Sequence, residues 1–166
     1  MLRPASVTDA PDAYEILFQL GYCGLPTIDD YTASFGRGAS AVFLVHRKDN
    51  DALAGLAVIS DLNPAGHLKV EVNTAADQPA ELTRDANALS TNFAFAMWRT
   101  RKVYFHTTRP SAEALAFGEE HAAMVQEEAV LQDYTFFHGR TWDMNVLAIR
   151  REDWDKHGVA LLKKIS

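Results

Sequence analysis

Apolar positions along the chain change period several times, and each change marks an element. Leu2 to Ala5 is short and extended, after which Thr8 or Asp9 is placed to cap a helix whose apolar residues Ala13, Ile16, Leu17 and Leu20 form one stripe. Gly21 ends that helix, Tyr22 to Pro26 form an apolar loop, and Thr27 caps a second short helix carrying Tyr31 and Phe35 before Gly36 and Gly38. Ala41 to His46 and Leu53 to Ser60 read as a strand hairpin about the turn Asp49-Asn50-Asp51. After Gly66, Leu68, Val70 and Val72 alternate with Lys69, Glu71 and Asn73, the period of a strand with one greasy face, so Glu71 and Asn73 point the same way.

Asp77-Gln78-Pro79 opens a long amphipathic helix, with Leu82, Ala86, Leu89 and Phe93 at helical spacing as far as Trp98. Val103 to Thr107 is a further strand, and Pro110 starts a helix containing Ala114, Leu115 and Phe117. Ala129 to Phe137 and Trp142 to Ile149 are two last strands joined by His138-Gly139-Arg140. The order β, α, α, β, β, β, α, β, α, β, β, without repeat or linker, predicts one mixed α/β domain over residues 1–166.

Composition narrows the function classes. With 166 residues, 48% of them hydrophobic, the chain has enough apolar material for its own core. The formal charge of −6 argues against general nucleic-acid binding, which needs a clustered basic face. Arg99, Arg101 and Lys102 form the one tight cationic knot, read either as a solvated helix end or as a docking point for an acidic partner. One cysteine, no charged-then-apolar leader and no run of about 20 apolar residues predict a cytoplasmic protein without a membrane anchor. The six histidines lack paired ligand spacing, so no metal is expected.

Three segments carry a family resemblance. Leu2-Arg3-Pro4-Ala5-Ser6-Val7-Thr8-Asp9-Ala10 is similar to the first strand and Asp-led helix of the GNAT N-acyltransferases, and Asn92-Phe93-Ala94-Phe95 running into Arg101-Lys102-Val103-Tyr104 resembles that family's helix end and fifth strand. Glu128 to Tyr134, then His138 to Asp143 and Arg150 to Trp154, resemble the branch that includes the ribosomal-protein alanine N-acetyltransferases. The likeness covers the whole chain. It implies a predominantly antiparallel central sheet flanked by helices, and direct transfer of an acyl group from a thioester to a primary amine of a small molecule or a peptide N-terminus. The donor would be acetyl-CoA or another acyl-CoA, or an acyl-phosphopantetheine on an acyl carrier protein. The protein would be a monomer or a homodimer.

The same resemblance assigns residues. Glu71 becomes the candidate base, beside its plain reading as a charge on a strand face, and the backbone near Asn73 the donor to the thioester oxygen. Val72, Asn73 and Thr74, then Gln78, Ala80, Leu82, Thr83 and Arg84, fall where the family holds its donor. Here, however, the phosphate loop has no Gly, Pro79 lacks an N–H, and Glu81 sets a negative charge at the helix start. Gly118 stands at about the place of the family's Tyr acid. His106 is then an alternative acid, as is His121, and Ser111 is either a donor-side polar group or a helix cap. Tyr22, Cys23, Asp133 and Tyr134 are expected on the acceptor side, with Cys23 a small lining residue and not a nucleophile. The two departures from the pattern keep a second reading open, a non-catalytic ligand- or partner-binding module. A thioesterase or decarboxylase on the same fold is the remoter third.

Overall fold

A computed structural model describes residues 1–165 except Cys23, Ala76, Pro110, Ser111 and His138. Five helices, α1 (Ala10–Gln19), α2 (Ile28–Ser34), α3 (Ala80–Met97), α4 (Glu119–Ala122) and α5 (Arg151–Lys163), flank seven strands. The strands are β1 (Leu2–Pro4), β2 (Ala39–His46), β3 (Leu53–Asn63), β4 (His67–Thr74), β5 (Lys102–Thr107), β6 (Val125–Phe137) and β7 (Arg140–Arg150). They form one sheet in the order β1-β2-β3-β4-β5-β7-β6. Every neighbouring pair is antiparallel except β4 and β5, which run parallel and are joined by α3 as the crossover.

Helices cover one face of the whole central sheet and the other face over β2 and β3. One face packs Phe43, Ile59, Val70, Val103 and Ile149 against α3 and α5. On the other, Leu44 and Leu56 meet Ala13 and Leu17 of α1, with Tyr31 and Phe35 of α2 beside them. Arg151, at the start of α5, donates to the carbonyls of Phe95, Trp98 and Thr100 at 2.7–2.9 Å and so satisfies the frayed end of α3.

Three expectations are corrected. The helix expected from Pro110 through Phe117 is a 3-10 turn over Ala112–Leu115 that breaks at Ala116, whose φ is 58, and helical geometry resumes only in the short α4 after Gly118. The segment's apolar residues, Leu115 and Phe117, are spent on plugging the core from an irregular connection and not on a helical stripe. The element order also omits α5, whose mean polarity hides Trp154 and Leu161, the two large side chains it buries. β6 starts at Val125, ahead of the expected Ala129.

Candidate active site: a cleft where two parallel strands part

The ladder between β4 and β5 has only three rungs, His67 with Lys102, Leu68 with Val103 and Lys69 with Tyr104. Beyond them each strand keeps a partner on its far side alone: β4 follows β3 to Thr74, and β5 follows β7 to Thr107. The facing edges, Glu71 to Thr74 and Phe105 to Thr107, therefore diverge into a slot lined by main chain.

Alternation decides which main-chain groups face it. Lys102 N–H donates to the Gly66 carbonyl, so the even-numbered residues of β4 turn their backbone toward β5, while Ala75 N–H donates to Ala54 on β3, so the odd-numbered ones turn toward β3. The register with β3 is unbroken from Lys69 to Thr74. Val72 and Thr74 thus present their N–H groups to the slot, and the Asn73 N–H belongs to the β3 ladder. The expected main-chain donor moves one residue, from Asn73 to Val72. β3 approaches so closely here that a Cβ at Gly55 would overlap the Asn73 carbonyl oxygen and lie 3.1 Å from Thr74 Cα.

Side chains at the odd positions gather on the α1 side. Glu71 Oε1 accepts from the Tyr22 hydroxyl at 3.3 Å and from Asn73 Nδ2 at 3.2 Å, while Lys69 Nζ stands 3.8 Å from Oε2 and 3.4 Å from Asp61 Oδ2. Tyr22 reaches Glu71 because α1 ends in a left-handed turn. Gly21 has φ 69, Gly21 N–H donates to Phe18 O and Tyr22 N–H donates to Leu17 O, which throws the Tyr22 ring back across the sheet. The Glu71 charge, burial and the shared hydrogen bond push the Tyr22 phenol up to about 12, so it remains a donor at every working pH. His106, on β5 at the point of divergence, is pushed below the ordinary imidazole range by burial and then by Lys69, with Glu71 and Asp61 opposing. It is neutral at pH 7. Lys69 and Asp61 were absent from the candidates, although the alternation that pairs Glu71 with Asn73 places Lys69 on that face as well.

The remaining candidates separate into those at the slot and those away from it. Thr74 hydrogen-bonds Thr83 at 2.7 Å, tying the end of β4 to α3, and Leu82 packs on the core. Gln78 accepts from Arg47 at 3.2 Å and donates to Asp77 at 3.1 Å, and Arg84 is held by Asp85 at 2.7 Å. Ala80 opens α3, whose first turn has Pro79 as an uncapping N-cap and carries Glu81. Asp133 and Tyr134 lie on the part of the β6–β7 hairpin that runs past the end of β5 at the slot's mouth. Asp133 accepts from Thr141 at 2.6 Å and its N–H donates to Asp143, whereas Tyr134 is 59% exposed. Cys23 and Ser111 lie outside the described residues. The cationic knot sits at the opposite end of β5, where Lys102 pairs with Glu128 at 2.5 Å and Arg101 donates to the Ala65 carbonyl.

An acyl-thioester arm fits one part of this site and its nucleotide does not fit the other. A pantetheine chain carries two amides, which an unpaired strand edge such as Glu71–Thr74 receives as it would an added strand. The α3 N-terminus beyond it offers a proline, a carboxylate and arginines already committed to Asp49 and Asp85, so the diphosphate cradle implied by the resemblance is not built there. Among the described residues no group of His, Cys, Asp and Glu is assembled for a metal.

A mixed sheet whose fourth and fifth strands run parallel, then part, with α3 crossing between them, is the GNAT acyltransferase fold. No family model matches the sequence, and no curated protein sequence is similar to it. Solved structures are. Mutant forms of the spermidine/spermine N-acetyltransferase SpeG from Vibrio cholerae superpose with a TM-score of 0.77 at 18% identity, over 94% of this chain and 96% of that one. A chimera of Vibrio cholerae SpeG with hSSAT gives 0.76 at 19% identity over 95% and 98%. SpeG from Vibrio cholerae in complex with manganese ions gives 0.73 at 18% over 94% and 95%. At this identity the likeness establishes the fold, and the chemistry rests on the site.

Proposed function

We propose that residues 1–166 act as a single-domain N-acyltransferase that moves an acyl group from a thioester directly onto a primary amine. The observation that carries this reading is the juxtaposition of the main-chain slot beyond Lys69 with a carboxylate, Glu71, braced by Tyr22 and Asn73. The thioester carbonyl accepts from the Val72 N–H, which is fixed in place by the β3 ladder and costs no reorganisation. The amine surrenders its proton to Glu71, directly or through one water, its nitrogen bonds to the carbonyl carbon, and the C–S bond breaks. The departing thiolate takes its proton from solvent, since a thiol of pKa near ~8.5 leaves without strong help; neutral His106 beside it donates a hydrogen bond and keeps its own proton.

The similar structures are acetyltransferases of polyamines, which supports a small-molecule acceptor and an acetyl group as the first acyl chain to test. A peptide N-terminus, the acceptor of the alanine N-acetyltransferase branch, is the finer alternative. For the donor, acetyl-CoA is the simplest candidate. The uncapped, acidic start of α3 favours a second one, an acyl-phosphopantetheine on a carrier protein, which brings no nucleotide into the cleft. We place the reaction in the cytoplasm.

Mass spectrometry of the purified protein with acetyl-CoA or an acyl carrier protein and a panel of amines tests the reading. The expected result is an acylated amine whose formation falls about a hundredfold or more in Glu71→Gln, the scale of a lost general base. Tight ligand binding with no transfer to any amine would instead make this a binding module, and release of free acid would make it a thioesterase.

A further inference from the structure

Lys69 differs from the other paired lysines. Lys102 and Lys164 each close on a carboxylate at 2.5 Å, whereas Lys69 Nζ stands 3.4 Å from Asp61 and 3.8 Å from Glu71, and makes no hydrogen bond among the described residues. Its side chain is 25% exposed, so Nζ is held near the two carboxylates yet stays open to an incoming group. Asp61, the nearer carboxylate, is 68% exposed and screened by solvent. A cation with idle donors is thus stationed next to the carboxylate that must greet the acceptor.

The partners of Glu71 sharpen this. Its Oε1 is occupied by Tyr22 and Asn73, which leaves Oε2 for the incoming nitrogen, and Oε2 is the oxygen beside Lys69. A polycation approaching Oε2 meets a like charge. An amine with an anionic group on the neighbouring carbon meets two complementary ones, because the 3.8 Å between Lys69 Nζ and Glu71 Oε2 matches two groups joined through a single carbon.

Resting on the transferase reading of the same cleft, we propose that the acceptor is an α-amino acid or a closely related zwitterion, with Lys69 holding its carboxylate and Glu71 its amine. Lys69 then sets specificity, and the polycationic amines of the structurally similar enzymes are disfavoured. The carboxylate takes no part in the bond changes. The N–C bond forms, the C–S bond breaks and the amine proton leaves through Glu71 as for any acceptor.

The test is a matched series of phenylalanine, its carboxamide and phenethylamine, with spermidine as the polycation, assayed with an acetyl thioester in the native protein, Lys69→Met and Lys69→Arg. The native protein is expected to favour the acid over the amide at least tenfold in kcat/KM. Lys69→Met brings that ratio to about one and Lys69→Arg keeps most of it. Because Lys69 helps to depress His106, the acid limb of the rate profile also moves to higher pH in Lys69→Met, a shift that general destabilisation does not produce. An amide, phenethylamine or spermidine that matches or beats the acid overturns the proposal, as does a Lys69→Met loss that is equal for all acceptors. Calorimetric binding of acid and amide separates the two claims. A Lys69-dependent preference for the acid without any transfer keeps the acceptor class and sinks the transferase, while transfer without the preference does the reverse.

Discussion

Glu71 has three neighbours: a tyrosine whose phenol is pushed up to about 12, an amide that fixes one oxygen, and an ammonium beside the other. His106 adds a titration within reach of neutral pH. Since burial and Lys69 lower its pKa, the imidazole stays neutral from pH 7 down past the ordinary ~6.5 and gains its proton only below that. Protonated His106 sets a second cation near Glu71 and weakens that carboxylate as a base, so the rate of acyl transfer should hold on acidification through 6.5 and fall only at lower pH, and His106→Asn should flatten that acid limb. A limb centred above 6.5 would contradict the assignment. A second residue-scale prediction concerns Gly55. A methyl group there runs into the backbone at Asn73 and Thr74, so Gly55→Ala must push the end of β4 toward the slot. We expect a loss of about 1–3 kcal/mol in denaturant unfolding, with a larger fractional loss of thioester binding than of fold. Of these residues the sequence exposed Glu71 and Asn73, because a two-residue period reveals what shares a face. The bond from Tyr22 to Glu71 was out of its reach, since it depends on a helix-ending turn aiming a ring at a strand 49 positions away.

Among the elements, legibility followed regularity. The strands around Leu68–Val72 and Val103–Thr107 and the helices α1 and α3 announce themselves by period, since each has one buried face and one solvated face. The stretch from Ala112 to Met124 does not, because it buries Leu115, Phe117, His121 and Met124 without a repeating geometry. α5 escaped for the opposite reason: a regular helix, but one that anchors itself through few apolar side chains, a glycine, Gly158, where a Cβ would lie 2.5 Å from the Trp154 ring, and the Arg151 guanidinium. That arginine joins three elements. It stacks on the Phe95 ring at 4.9 Å while donating to three carbonyls at the end of α3 and the start of β5. Arg151→Met removes all of these donors and leaves acceptors partly buried, which should cost about 2–4 kcal/mol and lower the melting temperature by several degrees. Arg151→Lys should recover only part, because an ammonium lacks the planar fork that reaches three acceptors at once. A Lys variant as stable as the native protein would show that charge alone holds the joint.

For the whole molecule, the element order was readable and the sheet order was not: which strand lies beside which is decided by partners remote in the chain, and α3 must cross over to set β4 and β5 parallel. That crossover creates the cleft. Two parallel strands that share three rungs and then follow different neighbours cannot stay in contact, and the backbone they leave unpaired is where the proposed thioester would lie. The acyl-carrier reading must be placed in this frame, because Arg101 and Lys102 stand at the end of β5 away from the mouth, and a carrier would have to dock beside the start of α3 and the β6–β7 arm. On the proposed reading, the charge of the cleft, more than its shape, selects the acceptor.

Amide hydrogen exchange, resolved residue by residue, addresses the central claim most directly. In the free protein the Val72, Thr74 and His106 amides should exchange far faster than those of Leu68 and Val70, which the three rungs protect, and a bound acyl-pantetheine or acetyl-CoA should slow Val72 and Thr74 by tenfold or more. Protection of Val72 and His106 already present in the free protein, or a ligand that protects amides elsewhere and leaves Val72 untouched, would mean that the strands do not part to receive a thioester.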